Sequence, residues 1–371
     1  MMRKFIKPNF KKSNLNISAT LAEFLDCPNR NHTIKILKKA LANNYKNVVF
    51  MCFDGLGINP LNINLPKDSF LRKHIVEKLV STFPSTTTNA TTSLMTNTLP
   101  LEHGWFGWSV YFESLNRNIN IFLDNDSWTN EKIEIKESPL SDVNFYFDEA
   151  KSDYMINTVF PAYVKVKHPE NNNVFHKTEE FFDIIESICE KEGKQFIYAY
   201  CGEPDSTMHS NGVTSNEAKE VIEFINDNVE KLSKQVKDTL FIITADHGQI
   251  DVEGYIELYK DKEIMDMLKI YPYIEPRAVA FMVKEEMKEK FVKTFNKKYK
   301  KDFKLYRTEY LIKKGYFGDY GDKVHLLGDF IAIGTYTHKL MLLNPNSNYF
   351  KGHHTSLTEE MKVPLILIEN R

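Results

Sequence analysis

No stretch of this 371-residue chain is apolar for the ~20 residues that a membrane-crossing helix needs. Its start, MMRKFIKPNFKKSNLNISATLAEF, is basic but lacks the apolar centre of a signal peptide. These absences predict a cytoplasmic protein with no membrane partner. Four cysteines, Cys27, Cys52, Cys189 and Cys201, form no CxxC pair, and two of them lie in apolar runs. They are expected as buried reduced thiols, not as disulfides or zinc ligands. A formal net charge of −2 leaves no basic footprint for a long nucleic acid, although a small phosphorylated ligand stays open. There is no GxxxxGK[ST] loop and no GxSxG elbow, and Gly55-Leu56-Gly57 begins like a dinucleotide fingerprint but has Pro60 in place of the third glycine. Kinase, NTPase-motor and α/β-hydrolase functions lose their main support. Internal repeats, low-complexity tracts and Gly/Ser linkers are also missing.

What is present is an alternation of strand-like and helix-like segments. Asn47 to Phe53 (NVVFMCF), Phe196 to Cys201 (FIYAYC) and Leu240 to Ala245 (LFIITA) are continuous apolar runs, the pattern of parallel strands buried on both faces. Between the last two, Ala218 to Val236 spaces Val221, Ile222, Ile225, Val229, Leu232 and Val236 by three and four, one face of an amphipathic helix. The expectation is an α/β fold with a mostly parallel central sheet and helices on both faces. From 254 to 350 the texture changes: PRAVAFMV reads as a strand, EEMKEKFVKTFNKKYK as a basic helix, and DFIAIGTY with KLMLL as a strand pair. This predicts a smaller α+β insertion at 254–350 in a core formed by 1–253 and 351–371, to whose sheet VPLILIE returns.

Seven polar groups sit where these elements meet loops: Asp54, Thr87, Asp205, His209, Asp246, His247 and His354. Open α/β sheets bind ligands beyond the carboxyl ends of their strands, and the three aspartates follow predicted strands, so they should share one edge. Any one of them could merely cap a helix. Asp205 and His209 are four apart, which lets carboxylate and imidazole meet one ion on a helical turn. Asp246 and His247 converge only if the strand ends there, which Gly248 permits. His353-His354 offers a third imidazole. The tract Phe83 to Ser93, FPSTTTNATTS, reads as a solvated turn opening a helix whose free amides favour an anion, or as a polar N-cap without chemistry.

The set FDGLG, FPSTTTNATTSLMTN, EHGWFGW, DSTMH, ITADHGQ and GHHTSLTEEMKVPL resembles the alkaline phosphatase superfamily, in its type I phosphodiesterase/nucleotide pyrophosphatase branch. YPYIEPRAV is similar to the segment opening the corresponding region in bacterial members. The resemblance implies one divalent metal on Asp54, Thr87, Asp246 and His247 and a second on Asp205, His209 and His354, with Thr87 as nucleophile. Ungapped alignment from Pro84 to Thr96 selects Thr87 over Thr86 and Thr88, and the family's histidine order selects His354 over His353. Three imidazoles with three carboxylates favour zinc, manganese being the alternative. The implied reaction cleaves a phosphodiester or pyrophosphate bond of a nucleotide-like molecule through a phosphoryl- or nucleotidyl-threonine intermediate that water hydrolyses. Phosphonate hydrolysis, phosphomonoester hydrolysis and, outside enzymes, metal-dependent nucleotide binding are the alternatives. Two positions depart from the pattern. Trp108 stands where animal-type members carry an oxygen-holding asparagine, and Thr355 stands where many relatives have glycine. The aromatic stretch Trp105, Phe106, Trp108, Tyr111 and Phe112 could stack a base or simply pack.

Overall fold

The computed structural model describes residues 4–164 and 171–371. Its centre is a seven-stranded sheet in the order Ile75–Val80, Lys362–Asn370, Thr239–Thr244, Asn47–Phe53, Gln195–Cys201, Met155–Pro161 and Asn172–Phe175. From Thr239–Thr244 to Asn172–Phe175 all neighbours run parallel, whereas Lys362–Asn370, which contains VPLILIE, is antiparallel to both of its neighbours. Every residue of Asn47–Phe53, Gln195–Cys201 and Thr239–Thr244 is buried. Continuous apolar runs are what such doubly covered strands require.

The ladder levels the strand ends. Phe53 lies beside Cys201, and Cys52 beside Thr244, so the loops that carry Asp54, Asp205 and Asp246 leave the sheet at the same edge. Behind them, the Asn216–Gln235 helix is capped by Ser215, whose hydroxyl accepts from the Ala218 amide at 3.0 Å. Ala218, Ile222, Ile225, Val229 and Leu232 form its buried stripe, close to the expected face. Burying each large side chain of that stripe contributes about 1.5–3 kcal/mol.

A second seven-stranded sheet, antiparallel throughout, runs Phe303–Arg307, Phe330–Gly334, Ala278–Phe281, Tyr273–Glu275, Ser109–Phe112, Arg117–Asn120 and Asn125–Asp126. The 254–350 segment therefore shares its sheet with residues 109–126, joined where Ile274 pairs with Ser109. The expected pairing of DFIAIGTY with KLMLL does not occur. Both edges of Phe330–Gly334 are taken by Ala278–Phe281 and Phe303–Arg307, so Lys339–Leu342 pairs instead with Gly254–Glu257, in parallel. EEMKEKFVKTFNKKYK forms a short 3-10 turn and then the Lys288–Tyr299 helix. All four cysteines are free and buried, as expected, and among the described residues no helix is long and apolar enough to cross a membrane.

Candidate active site

Asp54 follows its strand directly, and the Asp54 amide donates to the Cys201 carbonyl while the Asp205 amide donates to the Asp54 carbonyl. The chain turns at Gly55, whose φ of +72° suits glycine; a Cβ there would lie 3.1 Å from the Asp205 Cβ. Asp205 opens the Asp205–Asn211 helix, which places His209 one turn on, with its Nε2 3.3 Å from Asp205 Oδ2. The Thr239–Thr244 strand ends before Asp246, so its carboxylate and the His247 imidazole do converge, Oδ2 to Nε2, at 3.3 Å. Gly248 serves by its small size rather than by an unusual φ: a Cβ there would lie 3.3 Å from the Gly57 Cα and 3.4 Å from the Glu360 backbone.

Two groups of ligand atoms result. Asp54, Asp246 and His247 bring theirs within 4.8 Å of one another, and so do Asp205, His209 and His354. This is the same division that the family resemblance implied. The groups adjoin, because the His247 and His354 rings lie 3.9 Å apart, centroid to centroid. Each histidine turns Nδ1 to a backbone carbonyl: His209 to Gly352 at 2.8 Å, His354 to Ser85 at 3.1 Å and His247 to Gly248 at 3.0 Å. A carbonyl only accepts, so each Nδ1 carries a proton and Nε2 is the nitrogen that faces inward; Asp205 raises the His209 pKa, whereas burial holds His354 neutral. His353 is buried too, but its Nδ1 accepts from the His354 amide and it joins neither group.

The hydroxyl tract is buried, not solvated as its composition suggested. From Ser81 to Ala90 only Thr87 is partly exposed. The three adjacent threonines have different surroundings. Thr86 Oγ1 donates to Glu275 Oε1 at 2.8 Å, and Thr88 Oγ1 is buried with no partner among the described residues. Thr87 Oγ1 lies 3.2 Å from Asp54 Oδ2 and 3.2 Å from His247 Nε2. Thr87 also begins the Thr87–Thr96 helix, whose first-turn amides lack intrahelical partners and whose dipole favours an anion.

Charge is concentrated here. Burial, reinforced by Asp246 and Asp205, pushes the Asp54 carboxyl well above its ordinary range, and burial with Asp205 nearby raises Asp246 to about 7. Burial also opposes ionisation of Asp205, yet His209 and the Gln249 amide hold its carboxyl down, at about 2. His354 is depressed by burial and by the neighbouring imidazoles, which keeps it in the neutral form that binds cations. Among the described residues, Asp246 Oδ2 is buried with no hydrogen-bond partner. Buried carboxylates crowded on inward-facing imidazole nitrogens, with an orphaned carboxylate oxygen among them, fit divalent cations.

Several supporting residues escaped the sequence reading. The Tyr200 hydroxyl donates to Asp54 Oδ2 and the Gln249 amide to Asp205 Oδ1. Asn14 Nδ2 and Ser81 Oγ both donate to the Asp246 carbonyl, at 2.9 and 2.6 Å. Glu275 accepts from Trp108 N as well as from Thr86, and it is 4% exposed. An acid inside the apolar run YPYIEP was the available signal for Glu275. Of the aromatic stretch, Phe106 and Phe112 are core residues, while Trp108 is 42% exposed and packs edge-on against Phe122. Thr355, at the glycine position, has a φ of +81° and donates its amide to the Ser85 carbonyl.

Comparison with known proteins identifies the family and the fold. The family model described as Type I phosphodiesterase / nucleotide pyrophosphatase matches residues 48–356. Among solved structures, murine ectonucleotide pyrophosphatase / phosphodiesterase 5 superposes with a TM-score of 0.61 at 19% identity, covering 87% of this chain and 88% of that one. An inactive threonine-to-alanine variant of the murine protein in complex with AMP gives 0.62 at 19% identity, covering 87% of each chain. Phosphonoacetate hydrolase from Sinorhizobium meliloti 1021, in complex with phosphonoformate, gives 0.59 at 13% identity over 86% of this chain and 89% of that one. At these identities the structural likeness speaks for the fold alone. No curated protein sequence matches the chain.

Proposed function

Because the chain belongs to the type I phosphodiesterase / nucleotide pyrophosphatase family of the alkaline phosphatase superfamily, we propose that it hydrolyses a phosphodiester or pyrophosphate bond of a small nucleotide-like molecule. Asp54, Thr87, Asp246 and His247 would hold one divalent cation, and Asp205, His209 and His354 the other. The observation that carries this reading is the Thr87 hydroxyl, the one hydroxyl of its tract set against both Asp54 and His247. The mixed imidazole and carboxylate set suits zinc, with manganese as the alternative.

Bound cations of this kind lower the pKa of a coordinated hydroxyl or water, for water from ~15.7 to about 7, and offset charge gained by phosphoryl oxygens. The chain supplies the rest. Thr87 Oγ1 points its proton toward Asp54 Oδ2, and Tyr200 steadies that carboxylate from behind. The Thr87 oxygen forms a bond to phosphorus as the bond to the leaving oxygen breaks, and water then cleaves the threonine ester and restores the hydroxyl. First-turn amides of the Thr87–Thr96 helix would meet the anionic oxygens. The AMP bound to the murine neighbour supports a nucleotide-like substrate.

A colorimetric screen of the zinc- and manganese-reconstituted protein tests this reading, using aryl monoester, diester and phosphonate substrates. Preference for the diester is expected. Preference for the phosphonate or the monoester would move the activity elsewhere in the superfamily, and inactivity on all three would favour a nucleotide-binding module.

A further inference from the structure

One buried acid beside the nucleophile remains unused by this chemistry. Glu275 ends the Tyr273–Glu275 strand of the second sheet, and its Oε1 accepts two hydrogen bonds of 2.8 Å, from the hydroxyl of Thr86 and the amide of Trp108. Thr86 adjoins Thr87 in the chain, so these bonds hold the carboxyl against the first turn of the nucleophile's helix. Gly107 makes room for it: a Cβ at that position would lie 2.9 Å from Glu275 Cγ. Among the described residues no lysine or arginine pairs with this carboxyl, and no group donates to Oε2. His209 and Asp205, both of the second ligand group, act on its charge across space. Burial, the main cause, raises its pKa to about 7, so it is largely ionised at pH 8.

The consequence concerns charge. The hydroxyl of Thr86, next to Thr87 in the chain, and the amide of Trp108 are both committed to the Glu275 carboxylate, so neither is left to donate to an anionic oxygen. In their place Glu275 presents an acceptor and a negative charge. A phosphodiester carries one negative charge, whereas a monoester or inorganic phosphate at pH 8 carries close to two. We propose that Glu275 selects singly charged phosphodiesters over doubly charged phosphomonoesters by setting its carboxylate beside the space the phosphoryl group enters. This rests on the hydrolase reading above and adds a residue that determines specificity.

The test compares wild type with Glu275→Gln, which keeps an oxygen for Thr86 and Trp108 while removing the charge. First, kcat/KM is measured on bis(p-nitrophenyl) phosphate and on p-nitrophenyl phosphate with the zinc-reconstituted proteins at pH 8. The variant is expected to raise monoester turnover about tenfold or more while the diester changes by less than about threefold, the scale for one nearby unit charge. Second, calorimetric titration with inorganic phosphate reads the same discrimination without turnover, and tighter binding by a similar factor is expected. A diester-to-monoester ratio and a phosphate affinity both within about threefold of wild type would overturn the proposal and leave Glu275 as a clamp on the helix. Wild type inactive on both esters would instead overturn the hydrolase reading, and the phosphate titration would still decide the role of Glu275.

Discussion

His209 Nε2 and His354 Nε2 face each other at 3.2 Å, although the Nδ1 of each ring already lies on a backbone carbonyl. Asp205 raises the His209 pKa, so without a metal a proton can bridge these two nitrogens, and a cation that both rings bind would take its place. Zinc is therefore expected to raise the melting temperature of chelator-treated protein; ligand at a hundredfold its Kd contributes about 2.7 kcal/mol. A melting curve that ignores added zinc would show that these rings are packing residues.

The surroundings of the three adjacent threonines order their alanine variants. Thr87→Ala should lower turnover on the order of a thousandfold or more with two equivalents of metal still bound, since it removes the attacking oxygen. Thr88→Ala loses a buried hydroxyl that has no partner among the described residues and should retain most activity. Steady-state kinetics with metal analysis on the same samples checks both, and comparable losses in the two variants would dissociate Thr87 from the chemistry.

Glu275 should leave a pH signature on stability. Its folded pKa, raised by burial to about 7, exceeds the ~4.3 of an unfolded glutamate. The folded state therefore holds a proton that the unfolded chain releases, and the associated stability is present below pH ~4.3 and lost as pH rises through about 7. Glu275→Gln cannot lose it. Urea midpoints in chelator should shift in favour of the variant between pH 5 and pH 8; a constant difference would mean that the carboxyl titrates normally.

Arg277 and Glu360 form an ion pair of 3.2 Å with both side chains fully buried. Glu360 also accepts from the Ser356 amide, and its carbonyl accepts from Gly248, so the pair braces the loops that carry His354 and His247. Arg277→Met should cost about 3–5 kcal/mol, because it strands a buried carboxylate. Denaturant unfolding measures this, and a loss below about 1 kcal/mol would mean that water reaches Glu360.

The amino-acid order by itself determined the central strand at Asn47–Phe53, the strands at Gln195–Cys201 and Thr239–Thr244 to within one residue at their ends, the amphipathic helix over most of Asn216–Gln235, and the positions at which Asp54, Asp205 and Asp246 leave the sheet. These are local consequences of hydrophobic period and of strands buried on both faces. The i, i+4 spacing of Asp205 and His209 was legible for the same reason. Tertiary structure alone decided that residues 109–126 complete a sheet with 254–350, that Lys339–Leu342 pairs with Gly254–Glu257, and that the hydroxyl tract is buried around a single partly exposed threonine. It alone brought Glu275 to Thr86, 189 positions away in the chain. Pairing between distant segments leaves no periodic mark in either one, and the partner of a buried carboxyl depends on which polar groups folding leaves within reach.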